Sequence, residues 1–279
     1  VDVSYIDTGS SEGELHFQAD LASTTDQTFY VYFGNAAASS PSATSTYGSE
    51  AVWSDYAAVW HMDDGTAADQ LDATANDNTA LYSTGGTDVT RQIGRALDFD
   101  GNGEYNLTTN ITDNSNRGFS FWYYKRSQGG GDFGTVFGSN SFNHGIRHLS
   151  TDELNVRSGG SVQASTPVLA DDTWHYVSLE WDGANWSART NGVAGSGSGT
   201  SWFGADPEQL IGIAGNTGRA PDGIVDEMRV GPARSAAWRD TEYNNQSNPN
   251  AFYSVGSAQQ SSGDTLIGNN AGFTGGGPV

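Results

Sequence analysis

The sequence contains no cysteine, so disulfide bonds, thiolate metal ligands and cysteine nucleophiles are excluded. Lysine is nearly absent too: Lys125 stands alone beside 11 arginines, against 24 aspartates and 9 glutamates. The net charge of −21 repels nucleic-acid phosphates and anionic lipids, because binding to either rests on basic patches. No apolar run approaches the ~18 residues of a membrane span. The chain is therefore predicted to have no nucleic-acid partner and no direct membrane insertion.

The excess of acidic residues has two explanations. A strongly acidic surface stays soluble in high salt, where dissolved ions screen its self-repulsion. Alternatively, some of the carboxylates bind specific ions, and calcium is the candidate because it prefers oxygen ligands. Composition does not decide between them.

Aromatic residues supply a core despite the low overall hydrophobicity. The 279 residues include 8 Trp, 12 Tyr and 12 Phe, and 37 glycines fit a chain with many tight turns. In residues 119–124 both alternating faces are largely apolar, which predicts a central strand covered on both sides or a concave face lined with aromatics. Asp182-Gly183 and Asn191-Gly192 are hairpin turn signals. The pattern predicts an all-β, antiparallel sandwich.

Three regions follow from composition. Residues 1–45 form a short β-rich segment and linker, residues 46–253 the main β-domain, and residues 254–279 a Gly/Ser-rich tail. Such a tail is normally a flexible linker, although its apolar patch Thr265–Ile267 also fits a strand added to a sheet edge. The only helix predicted is residues 235–244, capped by Ser235.

Several sequence landmarks resemble those of laminin-G-like, concanavalin-A-like jelly-roll domains of bacterial or archaeal surface proteins. They occur in the family's order at 60–65, 94–101, 119–123, 173–177 and 222–230, the last being Asp-Gly-Ile-Val-Asp-Glu-Met-Arg-Val before the predicted helix. Residues 28–35 resemble the end of a small β-domain of unknown function that often precedes such jelly rolls. The resemblance implies a secreted or cell-surface recognition module.

Calcium is the predicted cofactor, with a structural role. The segment Asp98-Phe-Asp100-Gly-Asn102-Gly fits the first half of a calcium loop, but its alternative is a simple β-turn between two strands. The resemblance adds Asp63, Asp72 and Asp226, since family members use aspartates from loops at one rim. For Asp226, capping of nearby backbone amides is the competing role.

Sugar binding needs aromatic faces for C–H surfaces and polar groups for hydroxyls. The candidate aromatics are Trp53 and Tyr56 before the first landmark, and Trp202 and Phe203 after a Gly/Ser loop. Arg147 is the candidate polar ligand, close to Phe142. Packing into the sandwich rim is the alternative for Trp202 and Phe203.

No catalytic pattern is complete. Sandwich glycoside hydrolases place alternate carboxylates on one strand, but the segment from Glu180 to Asn185 lacks the final glutamate. Asp226 and Glu227 are adjacent, so on a regular strand they face opposite ways. The sequence therefore predicts that the chain is not an enzyme.

Together these observations predict a secreted or cell-surface module that binds glycans or glycoproteins in adhesion, in a calcium-dependent manner. The alternative is a structural subunit of an extracellular filament, surface layer or large adhesin, which binds copies of itself by strand addition.

Overall fold

The structure, a computed structural model, describes residues 1–7, 12–22, 24–33, 35, 37–90, 92–111, 117–126, 133–139, 143–149, 151–197, 199–203, 209–212, 221–257, 259–260 and 269–275. The predicted patch Thr265–Ile267 and the candidate Phe142 lie outside these ranges. Within them, no helix is long and apolar enough to cross a membrane.

Strands dominate the described chain. In chain order they are β1 (Asp2–Asp7), β2 (Glu12–His16), β3 (Gln27–Phe33), β4 (Ala58–Trp60), β5 (Ala80–Thr84), β6 (Thr87–Thr90), β7 (Arg95–Asp100), β8 (Glu104–Leu107), β9 (Arg117–Lys125), β10 (Phe133–Ser139), β11 (Gly145–Leu149), β12 (Leu154–Ser158), β13 (Ser161–Ser165), β14 (Thr173–Trp181), β15 (Trp186–Thr190), β16 (Val193–Ala194), β17 (Gln209–Ile211), β18 (Asp222–Pro232), β19 (Tyr253–Val255), β20 (Gln259–Gln260) and β21 (Asn269–Gly275). The helices are α1 (Ser49–Val52), α2 (Ala236–Ser247) and α3 (Pro249–Phe252).

Two antiparallel sheets form the sandwich. One has the order β13-β12-β11-β10-β17-β8-β5, and the other has the order β16-β15-β14-β9-β18-β7-β6, with β4 also paired to β18. The predicted all-β, antiparallel sandwich is confirmed. The core lies between the sheets and contains large side chains from both, including Trp60, Phe99, Tyr105, Phe119 and Phe137.

Strand β9 is central, as its two apolar faces predict. Phe119, Phe121 and Tyr123 are buried in the core between the sheets. On the opposite face, Trp122 packs against Tyr176 with ring centroids 5.4 Å apart, and α2 covers both. An apolar outer face thus gives α2 a surface to pack on.

The predicted turns and helix cap are present. Asn191 and Gly192 have φ values of 50° and 79° between β15 and β16, as a two-residue hairpin turn with left-handed residues requires. Ser235 Oγ accepts a hydrogen bond from Trp238 N at 3.2 Å and caps α2. The helix extends to Ser247, beyond the predicted end. Two one-turn helices, α1 and α3, were not predicted.

The N-terminal segment and the tail share a separate sheet. Strand β3 pairs with β21 from Phe33↔Asn269 to Gln27↔Gly275, and β19 and β20 pair with the other edge of β21. Strands β1 and β2 form a hairpin of their own. The predicted region boundaries at 45/46 and 253/254 stay predictions, but the first and last regions are joined by hydrogen bonds.

Candidate functional site

A pocket lies on the outer face of the eight-stranded sheet, beside the start of α2. Its volume is about 250 Å³, and it is lined by Glu180, Ser187, Ala188, Arg189, Ala194, Gly195, Gly197, Arg234, Ala236 and Arg239. We call it the arginine pocket. It forms because β18 ends at Pro232 and the chain turns directly into the capped helix, which places two arginines opposite β14 and β15.

The arginine pocket is basic in a strongly acidic chain. Three of the 12 cationic residues of the sequence line it, together with one acid. Arg189 pairs with Asp240 at 3.0 Å, and Arg234 lies 3.4 Å from the exposed Asp55. The Nε atoms of Arg189 and Arg234 are buried and have no hydrogen-bond partner among the described residues. The contacts around these two guanidinium groups therefore do not use all of their N–H donors.

Trp238 is the exposed aromatic beside this pocket. Its side chain, on the first turn of α2, is 49% exposed. The Arg234 guanidinium lies over its ring, 4.3 Å from the centroid. An indole next to a guanidinium offers an apolar face and charged donors within one small area.

The floor of the pocket is a buried ion pair. Arg239 Nε donates to Glu180 Oε1 at 2.6 Å, and both residues are almost fully buried. Burial raises the pKa of Glu180 to about 7, although Arg239 opposes the shift. Gly118 on β9 lies against this pair, and a Cβ there would overlap both side chains, so the position requires glycine.

From this floor a run of alternating charges crosses the outer face of the sheet. Arg239 Nη1 donates to Glu242 Oε2 at 2.8 Å, Glu242 Oε1 accepts from Arg229 at 2.7 Å, and Arg229 also pairs with Glu227. We call Glu180, Arg239, Glu242, Arg229 and Glu227 the buried charge network. Such a network costs desolvation, and each member depends on its partners remaining in place.

Four of the five predicted ligand residues are buried. Trp53 and Tyr56 pack edge to face, 5.3 Å apart, and Trp53 Nε1 donates to Asp2 at 2.7 Å. Phe203 belongs to the main core, and Arg147 on β11 is only 4% exposed. Buried rings offer no open face to a sugar, so any ligand contact through these residues would require rearrangement of the core. Their ligand role stays a prediction.

The fifth, Trp202, is half-buried. It stacks on Trp186 with ring centroids 5.0 Å apart and an interplanar angle of 10°, and it also contacts Trp181 and Phe203. Trp202 therefore packs at the sandwich rim, which was the alternative left open by the sequence.

The six predicted calcium ligands do not converge. Asp72 accepts hydrogen bonds from the backbone of Val59, Thr74 and Asn78, which fixes the loop after β4. Asp98 pairs with Arg126, whereas Asp100 and Asn102 are exposed beside the turn that links β7 and β8.

The other two calcium candidates are Asp226 and Asp63. Asp226 is fully buried and accepts a hydrogen bond from Ile93 N at 3.0 Å; burial raises its pKa well above the usual value. Burial also raises the pKa of Asp63 to about 7. The described ranges contain one group of three or more potential metal-ligand side chains with donor atoms close together. None of the six predicted calcium ligands belongs to it. Calcium binding by them stays a prediction.

The arginine pocket was not predicted from the sequence. Arg229, Arg234 and Arg239 recur every five residues, which matches neither a strand nor a helix period. Three cations within 11 residues of a chain with net charge −21 were nevertheless a signal of local function.

Comparison with solved structures shows related folds. The Trypanosoma rangeli sialidase in complex with sialic acid matches 76% of this chain and 36% of its own, with 12% identity and a TM-score of 0.56. The binding domain of Paraclostridial Mosquitocidal Protein 1 matches 69% of this chain and 52% of its own, with 13% identity and a TM-score of 0.54. The chain thus spans about a third of the sialidase chains and half of the toxin structure. At these identities the likeness shows the fold alone.

A third structure, domain 4 of the extracellular GH43 arabinanase AbnA from Geobacillus stearothermophilus in complex with arabinotriose, has 19% identity and covers 67% of this chain and 97% of its own. Its TM-score of 0.49 is too low to support an argument. No family model matches the sequence, and no curated protein matches it significantly.

The prediction that the chain is not an enzyme is wrong as drawn, because sialidases, which are enzymes, have matching folds. The strand argument behind that prediction also fails. The register of β18 shifts between Asp226 and Arg229, and Glu227 has a φ of 50°, so the two carboxylates do not follow regular alternation.

Proposed function

We propose that this chain is a secreted or surface-displayed glycan-recognition module of laminin-G-like type, and that the arginine pocket binds a negatively charged sugar. The observation that carries the proposal is that Arg189 and Arg234 line one concave site, and that the Arg234 guanidinium also lies over the exposed Trp238. The family part of the proposal rests on the ordered sequence landmarks between residues 60 and 230.

The chemistry of the pocket suits a sugar carboxylate. A planar guanidinium binds a carboxylate through two parallel hydrogen bonds, which are stronger than those between neutral groups. The indole of Trp238 can stack on the apolar face of the sugar ring. A volume of about 250 Å³ accommodates a single sugar unit better than a long oligosaccharide.

The comparisons give limited support. The sialidase with the same fold is described in complex with sialic acid, an acidic sugar, and the toxin fragment is described as a binding domain. Those ligands belong to those proteins. They make acidic sugars the first class to test here.

The test is calorimetric titration with sialic acid and glucuronic acid, with galactose as the neutral control. We expect binding of an acidic sugar that weakens with added salt, is lost in Arg234→Met and is reduced in Trp238→Ala. Arg95→Met removes a cation on β7 that does not line the pocket, so this variant should bind the acidic sugar as the unmodified chain does. Equal binding of galactose, or unchanged binding in Arg234→Met, would contradict the proposal.

Calcium-dependent adhesion is a separate part of the proposal. If calcium is a structural cofactor, the melting temperature should rise in calcium relative to chelator, and equal ionic strength of sodium should not reproduce the rise. Asp63→Asn and Asp98→Asn should then diminish it. A response to ionic strength alone would favour salt adaptation as the reason for the acidic surface.

One observation favours the second candidate, a structural subunit that assembles by strand addition. Strand β21 lies between β3 on one edge and β19 and β20 on the other, so it completes a sheet that the rest of the chain leaves open. The same strand donated by a neighbouring copy would link protomers. Light scattering of the full chain and of a chain ending at residue 257 tests this: assembly of both equally would rule out β21 as the linking strand.

A further inference from the structure

Two histidines and two glutamates converge where the β1–β2 hairpin meets the sandwich. Glu14 and His16 lie on β2, His61 directly follows β4, and Glu227 lies in the irregular part of β18. One donor atom from each of the four residues lies within 4.8 Å of all the others. We call these four residues the histidine–glutamate cluster; it goes beyond the proposed sugar pocket and shares no residue with its lining.

Two atoms of this cluster are buried without a hydrogen bond. Glu14 Oε1 and His16 Nε2 are hidden from solvent and have no hydrogen bond of good geometry among the residues placed by the structure, although they form an ion pair at 2.7 Å. The Glu14 side chain is 10% exposed. Buried polar atoms are nearly always satisfied, and an ion that binds both is one way to satisfy them.

The distances suit a four-coordinate ion. Donor atoms around a tetrahedral zinc ion, with bonds of about 2.0–2.1 Å, lie roughly 3.4 Å apart. In the cluster, His61 Nδ1 is 2.6 Å from Glu227 Oε1, and one donor atom from each of the four residues lies within 4.8 Å of the others. These separations bracket the required value, so small side-chain rotations would bring the donors into position.

The surroundings orient the donors. Asp2 Oδ2 lies 2.9 Å from His61 Nε2 and also accepts from Trp53 Nε1 at 2.7 Å. With Nε2 donating to Asp2, Nδ1 of His61 is available as a ligand, which is the carboxylate–histidine arrangement common at metal sites. Arg229 donates to Glu227 Oε2 and leaves Oε1 facing His61.

We propose that Glu14, His16, His61 and Glu227 bind one divalent transition-metal ion, with zinc as the probe of choice. Two imidazoles and two carboxylates are a donor set for zinc and its neighbours, whereas calcium prefers six to eight oxygens. The ion would link the hairpin to β4 and β18, so its role at this place is structural. An ion pair between these histidines and carboxylates without metal is the competing explanation.

The test uses the full chain, freed of metal with a chelator and then dialysed. Calorimetric titration with zinc chloride should show one site per chain, zinc should raise the melting temperature, and cobalt should give the visible absorption of a tetrahedral complex. His16→Gln and Glu14→Gln should each weaken zinc binding at least tenfold. His144→Gln, a histidine outside the cluster, should bind as the unmodified chain does.

The proposal is overturned if the metal-free chain takes up no zinc, or if His16→Gln binds it with unchanged affinity. Should either variant fail to fold, nuclear magnetic resonance of the unmodified chain decides. Zinc must then shift the imidazole signals of His16 and His61, and shifts confined to other histidines would refute the site.

Discussion

Arg239 and Glu180 form a buried pair, with Nε and Oε1 2.6 Å apart, on the face of the sheet that points away from the sandwich core. Arg239 comes from the helix and Glu180 from β14, so the pair fixes α2 to the sheet. The same guanidinium holds Glu242, and through it the pair is connected to Arg229.

Replacement of this arginine should therefore be costly. Arg239→Met removes the charge but keeps much of the volume, and it leaves Glu180 and Glu242 buried with fewer partners. We expect a loss of about 3 kcal/mol or more in the free energy of unfolding, measured by urea denaturation. The control is Arg95→Met: Arg95 is a more exposed arginine paired with Asp88, and its loss should cost below about 1 kcal/mol. Equal losses would mean that the buried charge network does not hold α2.

Replacement of Trp202 should cost more stability than replacement of Trp238. Trp202→Ala breaks the stack on Trp186 and opens a space at the rim, so we expect a loss of roughly 2–4 kcal/mol in stability. Trp238→Ala removes a half-exposed ring and should cost less than about 1 kcal/mol, mainly through its contact with Arg234. Thermal unfolding of the two variants compares them directly. A stable Trp202→Ala variant would favour the predicted ligand role of Trp202 over rim packing.

The free energy of unfolding should depend on pH through His148. Burial and the nearby Lys125 cation lower the pKa of His148 to about 4, and its Nδ1 lies 3.3 Å from the Tyr123 hydroxyl in the core. The unfolded chain takes up this proton near pH 6.5 and the folded chain only near pH 4, so acidification between these values favours unfolding.

This contribution is fully present above pH 6.5, and its loss by pH 4 amounts to about 3 kcal/mol. His148→Gln should flatten the pH dependence in that window relative to the unmodified chain, as measured by urea unfolding at a series of pH values. Parallel curves for the two proteins would show that the titration of His148 does not control the pH dependence of stability.

Removal of β21 should affect one end of the molecule only. A chain ending at residue 257 leaves β3 without its partner but removes no strand of the two sandwich sheets. We expect an unchanged main thermal transition and faster proteolysis within residues 24–33, located by mass spectrometry. A chain ending at residue 275 keeps β21 and is the matched control. Equal cleavage of the two chains would argue against the β3–β21 pairing.

The sandwich was predictable because its signals are local. The alternation of Phe119, Phe121 and Tyr123, the Asn191-Gly192 turn and the Ser235 cap each act within a few residues. The pairing of Phe33 with Asn269 joins positions far apart in the chain, and no local pattern encodes that partner. The sequence therefore predicted that residues 1–45 are β-rich, but not which strand pairs with β3.

The candidate sites were largely unpredictable for a related reason. His16 and His61 belong to different strands, and only the docking of the hairpin stacks their rings 5.0 Å apart. Glu227 contacts this cluster from the irregular part of β18, where its own backbone has a left-handed conformation. Strand periodicity does not predict such an irregularity. Trp53 and Tyr56 were chosen as ligand candidates by their position before the first landmark, whereas packing with Arg229 and Arg234 keeps them buried.

The register of β3 and β21 has a mechanical consequence. Gln27 and Gly275 face each other at the same end of the pair, so a tension applied through these two residues would pull the strands apart from that end. Cross-strand hydrogen bonds would then break one after another, as in a zipper, rather than all together in shear. This sheet would yield under low force and lengthen the chain before the sandwich experiences any load.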